Sequence, residues 1–172
     1  KIENIHFDGN VSDDPTPWNS GNYDSFTGSQ ALYIAAATDF TVSNCKLTNS
    51  NWANLRIANC IRGSVSNVQT DRSRGNFGDG VYTFKSIGVK FSNCDAYDFT
   101  RIGFVGEGDA TTNSEELKYV NCTARFGHDN SVDYGGSEIN TGFWAENTES
   151  AYYTNCSTDD TNAQGFIFAP ST

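Results

Sequence analysis

The chain has 172 residues with 16 Gly, 3 Pro, no Met and a formal net charge of −10 at pH 7, a length that fits one domain. The sequence contains no run of about 18 apolar residues that would predict a membrane-spanning helix. It also contains no basic segment followed by an apolar one, as a signal peptide would have. The negative charge disfavours nucleic acid and anionic membranes as partners. An acidic polysaccharide stays open as a partner, because a single Arg or Lys can hold a carboxylate even on an acidic protein.

A short segment of alternating apolar residues that leads into an asparagine recurs six times. It reads KIENI, FTVSNC, GSVSNV, VKFSNC, LKYVNC and AYYTNC, and its asparagines are Asn4, Asn44, Asn67, Asn93, Asn121 and Asn155. The intervals between them are 40, 23, 26, 28 and 34 residues. Such irregular spacing fits coils whose strands have a fixed length and whose loops vary.

A second segment, ALYIA, NLRIA, GVYTF, GFVGE, GFWAE and then GFIFA, recurs in step with the first. From its first residue to the next asparagine the distance is 13 residues in four coils and 18 in the coil that contains DATTNS. The longer loops therefore lie on the other side of each coil. We predict an all-β single domain over residues 1–172, a parallel β-helix of about six coils of three short strands, with loop insertions at 8–30, 71–79, 109–115 and 125–141.

Alternation along a strand assigns the side chains to the two faces of the sheet. The second segment sends an aligned apolar column inward, namely Leu32, Leu55, Val81, Phe104, Phe143 and Phe166. The residues that follow the asparagines form another column, in which four cysteines interchange with Ile and Val: Ile5, Cys45, Val68, Cys94, Cys122 and Cys156. This pattern favours buried free thiols over disulfide or metal roles, and Cys60 lies outside the column, at a turn.

With these columns assigned, the chain resembles the right-handed, pectate-lyase-like parallel β-helix superfamily over essentially its whole length. In that superfamily an internal asparagine ladder marks the turn between the second and third strands. The resemblance makes GVYTF and its equivalents the first strand, whose outer face commonly forms a carbohydrate groove. It does not choose among lyases, hydrolases, epimerases, phage tailspikes and adhesins.

The outward residues of the first strand are the candidate site. One column contains Tyr33, Arg56, Tyr82, Val105, Trp144 and Ile167, and the next contains Ala35, Ala58, Phe84, Glu107, Glu146 and Ala169. The aromatic residues are either stacking surfaces for sugar rings or a satellite core beneath the long loops. Glu107 and Glu146 fall on consecutive coils, about 4.8 Å apart at Cα, which predicts a pair of interacting carboxylic acids suited to glycosidic cleavage. The alternative is two solvated glutamates, and a nearby Arg56 or Lys85 would favour the functional interpretation.

The long loops supply further candidates. Asp71, Arg72, Arg74 and Asp79 belong to one loop, and Arg125, His128, Asp129, Asp133, Tyr134 and Glu138 to another. Tolerance of insertions is the structural alternative. Asp159 and Asp160 look like the paired aspartates of polygalacturonase-type hydrolases but follow Asn155 on the third strand, so that mechanism is not transferred. The calcium cluster and the Lys–Arg pair of pectate lyases are not evident on the first strand.

The hypothesis is a phage tailspike-type depolymerase of a host-surface polysaccharide, found outside the cell or on the virion. Its catalytic residues would be Glu107 and Glu146, with His128 as a base if the protein is instead a lyase or epimerase. Substrate would be bound by Tyr82, Trp144, Arg56, Tyr33, Phe84 and Asp79. We expect no cofactor or catalytic metal, although a structural or substrate-bridging Ca²⁺ stays open.

Two further expectations concern assembly and a role without chemistry. Since neither end is capped, we expect a longer chain or a homo-oligomer such as a trimer. The same fold without a working acid pair would be a non-catalytic glycan-binding module or a structural shaft.

Overall fold

The computed structural model describes residues 1–9, 30–73, 78–127, 140–161 and 164–169. Every regular element in these ranges is a β-strand, and the strands pair in parallel in two sheets that wind into a solenoid of about five turns. The predicted parallel β-helix is confirmed. The turns number about five instead of six, because the first asparagine segment and the last first-strand segment each form only part of a turn. No helix in the described ranges could cross a membrane.

The strands are short except where two successive strands of a coil run together. In chain order they are β1 (Ile2–Glu3), β2 (His6–Asp8), β3 (Gln30–Ala35), β4 (Thr38–Ser50), β5 (Ala53–Ala58), β6 (Ile61–Ser73), β7 (Asp79–Phe84), β8 (Lys90–Ser92), β9 (Asp95–Phe99), β10 (Ile102–Glu107), β11 (Leu117–Val120), β12 (Thr123–Gly127), β13 (Thr141–Glu146), β14 (Ala151–Thr154), β15 (Ser157–Asp159) and β16 (Phe166–Ala169). Strands therefore extend into three of the predicted insertions, since β2 ends at Asp8, β6 at Ser73 and β12 at Gly127.

The two sheets separate the first strand of each coil from the other two. One sheet has six strands in the order β16, β13, β10, β7, β5, β3, and these are the predicted first strands. The other sheet contains the strands before and after each asparagine. In two coils these strands are continuous and form the long strands β4 and β6. The candidate face is thus the outer surface of the six-stranded sheet.

Stacked side chains fill the interior. The rings of Phe91, Tyr119 and Tyr153 stack nearly parallel at centroid distances of 5.0 Å and 5.0 Å, and those of Phe104 and Phe143 stack at 4.9 Å. These distances match the spacing between neighbouring strands, so equivalent residues of successive coils contact each other directly. Each coil buries its apolar residues against the coils above and below it.

The cysteines are free thiols, as predicted. Cys45, Cys60, Cys94 and Cys122 are buried, and Cys156 is half-buried. Three of the buried cysteines, Cys45, Cys94 and Cys122, occupy the same column of the core as Val68. They act there as small apolar side chains.

The repeated asparagines form a ladder on the outside of the solenoid. All six have positive φ, between 51° and 57°, a left-handed conformation that asparagine adopts more readily than most residues. The side-chain Nδ2 of one asparagine donates to Oδ1 of the asparagine in the preceding coil, over 3.1–3.3 Å. This holds for Asn44 with Asn4, Asn67 with Asn44, Asn93 with Asn67 and Asn121 with Asn93. These asparagines bond to one another as a ladder, but they are exposed, unlike the internal ladder that the resemblance implies. Their role is to make the corner.

Candidate functional site

Two successive residues turn inward where each first strand begins, and this shift decides which side chains reach the outer face. A Cβ added at Gly80 would lie 2.6 Å from the carbonyl oxygen of Gly103 and 2.7 Å from Cβ of Ala96, inside the solenoid. Val81, the next residue, also belongs to the core. Since Gly80 and Val81 both face inward, Asp79 lies on the outer side, at the edge of the candidate face.

The outer face of the first strands carries a second hydrophobic cluster. Its buried members are Trp52, Ala53, Tyr82, Ile102 and Val105, and Phe84 and Trp144 pack against them half-buried. Tyr82 is only 8% exposed, which fits the second of the two alternatives for these rings, a satellite core on this face. Tyr33, 48% exposed, is the most open aromatic residue of the column.

Glu107 and Glu146 occupy matching positions on neighbouring strands, β10 and β13. Hydroxyl groups of the turns that follow these strands donate hydrogen bonds to the backbone carbonyl groups of the two glutamates. Ser114 Oγ donates to the carbonyl of Glu107 over 2.7 Å, and Thr148 Oγ1 donates to the carbonyl of Glu146 over 3.1 Å. The two glutamates therefore project side by side from a corner held by hydrogen bonds.

The two carboxyl groups have different surroundings. The Glu107 carboxyl is hydrogen-bonded to the Tyr82 hydroxyl and lies near the guanidinium of Arg101. The Glu146 Oε2 atom accepts a hydrogen bond of 3.2 Å from Trp144 Nε1. A pair of acids in unequal environments is the arrangement that allows one to act as an acid and the other as a carboxylate.

A buried ion pair lies beside Glu107. Arg101 Nε and Nη2 donate to the two carboxylate oxygens of Asp79 over 2.9 Å and 2.6 Å, and the Asp79 and Arg101 side chains are 1% and 12% exposed. Arg101 belongs to the turn before β10, outside the alternating segments, so the pattern of columns did not single it out. Alignment of the first-strand starts would have placed it one residue from the position of Asp79 in the adjacent coil.

The electrostatics of Glu107 follow from this cluster. Burial raises the pKa of Glu107 above its ordinary value, and the Arg101 charge and the Tyr82 hydrogen bond oppose the rise, while Asp79 and Glu146 add to it. Burial of Arg101 by itself lowers its pKa, but the ion pair with Asp79 outweighs that effect and raises it. Glu107 therefore keeps its proton to higher pH beside a fixed positive charge.

The raised pKa predicts a pH-dependent stability. The folded protein holds the Glu107 proton to a higher pH than the unfolded chain, so this contribution to the free energy of unfolding is complete below the ordinary value of 4.5 and is lost as the pH rises through the folded pKa. Glu107→Gln has no proton to lose, and its stability relative to the parent protein should rise over that range. Urea denaturation at a series of pH values measures the difference. The variant of an exposed glutamate, Glu149→Gln, should follow the parent protein, and a Glu107→Gln curve that also does so would contradict the assignment.

The side chains of Lys85 and Arg56 are engaged by groups other than the glutamates. Lys85 forms an ion pair with Asp109 and has Nζ 5.2 Å from the centre of the Phe84 ring. The guanidinium carbon of Arg56 lies 4.0 Å from the centre of the Trp52 ring. The cation that acts most strongly on Glu107 is Arg101, whereas Arg56 and Lys85, whose proximity would have favoured the functional interpretation, contact other groups.

The remaining loop candidates separate into two groups. Asp71 pairs with Lys46 over 3.3 Å and with Arg72 over 3.9 Å, and Arg125 and Asp159 are in register on the other sheet, so none of these joins the glutamates. His128 and the other loop candidates Arg74, Asp129, Asp133, Tyr134 and Glu138 lie outside the described residues.

The described parts of the chain contain no group of three or more His, Cys, Asp or Glu side chains arranged to hold a metal ion. The sequence matches no model of a known protein family, and no curated protein matches it either. A functional interpretation must therefore rest on the fold and on the chemistry of this face.

Proposed function

We propose that this chain is a carbohydrate-active β-helix that cleaves a polysaccharide, with Glu107 and Glu146 as its acid and its base or nucleophile. The observation that supports the proposal is the register of these residues on adjacent coils combined with their unequal surroundings. Two carboxyl groups, one protonated and one ionised, are what glycosidic hydrolysis requires.

Glu107 is the general acid. Its raised pKa keeps a proton available, and that proton passes to the glycosidic oxygen as the bond to the anomeric carbon breaks. The carboxylate that is left accepts a hydrogen bond from Tyr82 and is stabilised by the charge of Arg101. Asp79 holds Arg101 in place through two hydrogen bonds, so the positive charge is available before the reaction begins.

Glu146 is the second carboxylate. It either attacks the anomeric carbon to form a glycosyl ester that water then hydrolyses, or removes a proton from a water that attacks directly. The Trp144 indole N–H orients it. The close register of the strands favours the covalent route, because retaining enzymes place their carboxyl groups about 5–5.5 Å apart.

The biological setting is part of the same proposal. The setting that we propose for this parallel solenoid is a tailspike-type depolymerase that acts on a host-surface polysaccharide, outside the cell or on the virion. The assembly that belongs to this proposal is a homotrimer. Gel filtration with light scattering tests the trimer.

The cleavage proposal predicts a specific product. The chain is first offered to an array of bacterial surface polysaccharides, and each one bound is then digested. We expect shorter fragments with new reducing ends and without the ultraviolet absorbance of an unsaturated uronate. The anomeric configuration of the first product, read by NMR, distinguishes the two roles of Glu146.

Different products would point to different functions. An unsaturated uronate would identify a lyase, in which a loop residue such as His128 or Tyr134 acts as the base. A glycan that binds and is recovered intact would contradict cleavage and favour a non-catalytic binding module.

A further inference from the structure

Among the arginines of the described residues, Arg56 is the one that forms no ion pair with Asp or Glu. Seven Lys or Arg side chains of the described residues form ion pairs with Asp or Glu: Lys1, Lys46, Arg62, Arg72, Lys85, Arg101 and Arg125. Arg56 has no such pair within the described ranges, and its Nε atom is buried there without a hydrogen-bond partner. Although the protein has ten surplus negative charges, no carboxylate of the described residues pairs with this guanidinium.

Aromatic rings hold Arg56 instead. Its guanidinium carbon lies 4.0 Å from the centre of the Trp52 ring, 4.8 Å from that of Tyr33 and 6.0 Å from that of Tyr82. The rings attract the charge through their faces, but a ring face does not replace the oxygen acceptor that the Arg56 Nε–H lacks. Because three rings already restrict the Arg56 side chain, binding of a ligand costs little further side-chain entropy.

The position of Arg56 connects it with the glutamates. It is in register with Tyr33 on β3 and with Tyr82 on β7, and Glu107 lies on the strand after β7. Along the solenoid axis it is two coils from Glu107, or about 10 Å. Tyr33, the exposed ring on the far side of Arg56, adds an apolar surface for a sugar.

We propose that Arg56 and Tyr33 form a subsite for a sugar residue that carries an oxyanion, so that the substrate of this face is an anionic polysaccharide. The guanidinium donates to two oxygens of a carboxylate or to a sulfate, and the Tyr33 ring packs against the sugar. The inference rests on the proposed function for the identity of the ligand as a glycan. It adds the charge of that glycan and the place where the charge binds.

The experiment reads Arg56 directly and needs no cleavage. The Nε–Hε resonances of the arginines are followed by NMR while the protein is titrated with glucuronate, glucose 6-sulfate or glucose. We expect a saturable shift of the Arg56 resonance with an anionic sugar, little change with glucose, and little change at Arg62, whose Nε already donates to Asp39. The two anionic sugars decide between a carboxylate and a sulfate.

Variants test the assignment. Arg56→Gln should weaken binding of the preferred anionic sugar by roughly 10–100-fold, and Arg56→Lys should restore only part of it because lysine cannot donate as a planar fork. Arg62→Gln removes the same charge from the other sheet and should have no effect. Equal responses to glucuronate, glucose 6-sulfate and glucose at Arg56, or unchanged binding by Arg56→Gln, would overturn the proposal. Because no bond is cleaved in this experiment, its failure leaves the chemistry of the glutamates untouched, and their failure leaves this subsite testable.

Discussion

Replacement of Glu107 by glutamine is expected to lower the rate of polysaccharide cleavage by roughly 10²–10⁴-fold, the usual contribution of a positioned general acid. Glutamine keeps the size of the side chain and can still bond to Tyr82, but it has no proton to transfer to the leaving oxygen. The rate of the parent protein should fall at high pH as Glu107 ionises, because only its protonated form is active. The variant should lose that alkaline limb, and initial rates of reducing-end formation across pH measure both effects.

The matched variants separate catalysis from folding. Glu146→Gln should also lower the rate by several orders of magnitude, but the residual activity should keep the alkaline limb that belongs to Glu107. Glu149→Gln, an exposed change of the same chemistry, should cleave at the parental rate. Undiminished cleavage by the double variant E107Q/E146Q would remove both residues from the mechanism.

Replacement of Asp79 by asparagine should lower the free energy of unfolding by about 3–5 kcal/mol, the cost of removing one partner of a buried ion pair. Arg101 then loses the carboxylate that accepts two of its N–H groups in a site where its side chain is 12% exposed. We expect a lower midpoint in urea denaturation with little change in slope, because the surface exposed on unfolding stays nearly the same.

The chain contains its own control for this prediction. Asp39 accepts the same two-point contact from Arg62, over 2.7 Å and 2.9 Å, on the exposed outside of the solenoid. Water screens that pair, so Asp39→Asn should leave the denaturation curve nearly unchanged. If both substitutions shift the midpoint equally, burial is not what makes the Asp79–Arg101 pair important.

Repetition made the fold readable from the sequence. An inward column such as Leu55, Val81, Phe104 and Phe143 appears in the printed chain because each coil repeats the same environment, and the structure places these residues in one core cluster. The predicted register of Glu107 with Glu146 is confirmed for the same reason. The constant distance from first strand to asparagine was sufficient to align the coils.

The count of turns and the ladder show where repetition misleads. Six asparagine segments indicate six coils only if each belongs to a complete turn, and the first of them, at Asn4, does not. A polar residue at a repeated corner can point either into the interior of the solenoid or to its outside. Its direction depends on the backbone, which here is left-handed at every asparagine of the repeat and turns the amides outward.

The sequence by itself thus determined the parallel β-helix, the buried thiols, and the two glutamates side by side on the first-strand face. The tertiary structure alone decided what surrounds those glutamates. Strict alternation does not predict the double inward turn at Gly80 and Val81 that brings Asp79 to the outside, or the pairing of Asp79 with Arg101 from the turn of the next coil. These contacts join residues that belong to no repeated column, and they make Glu107 and Glu146 chemically unequal.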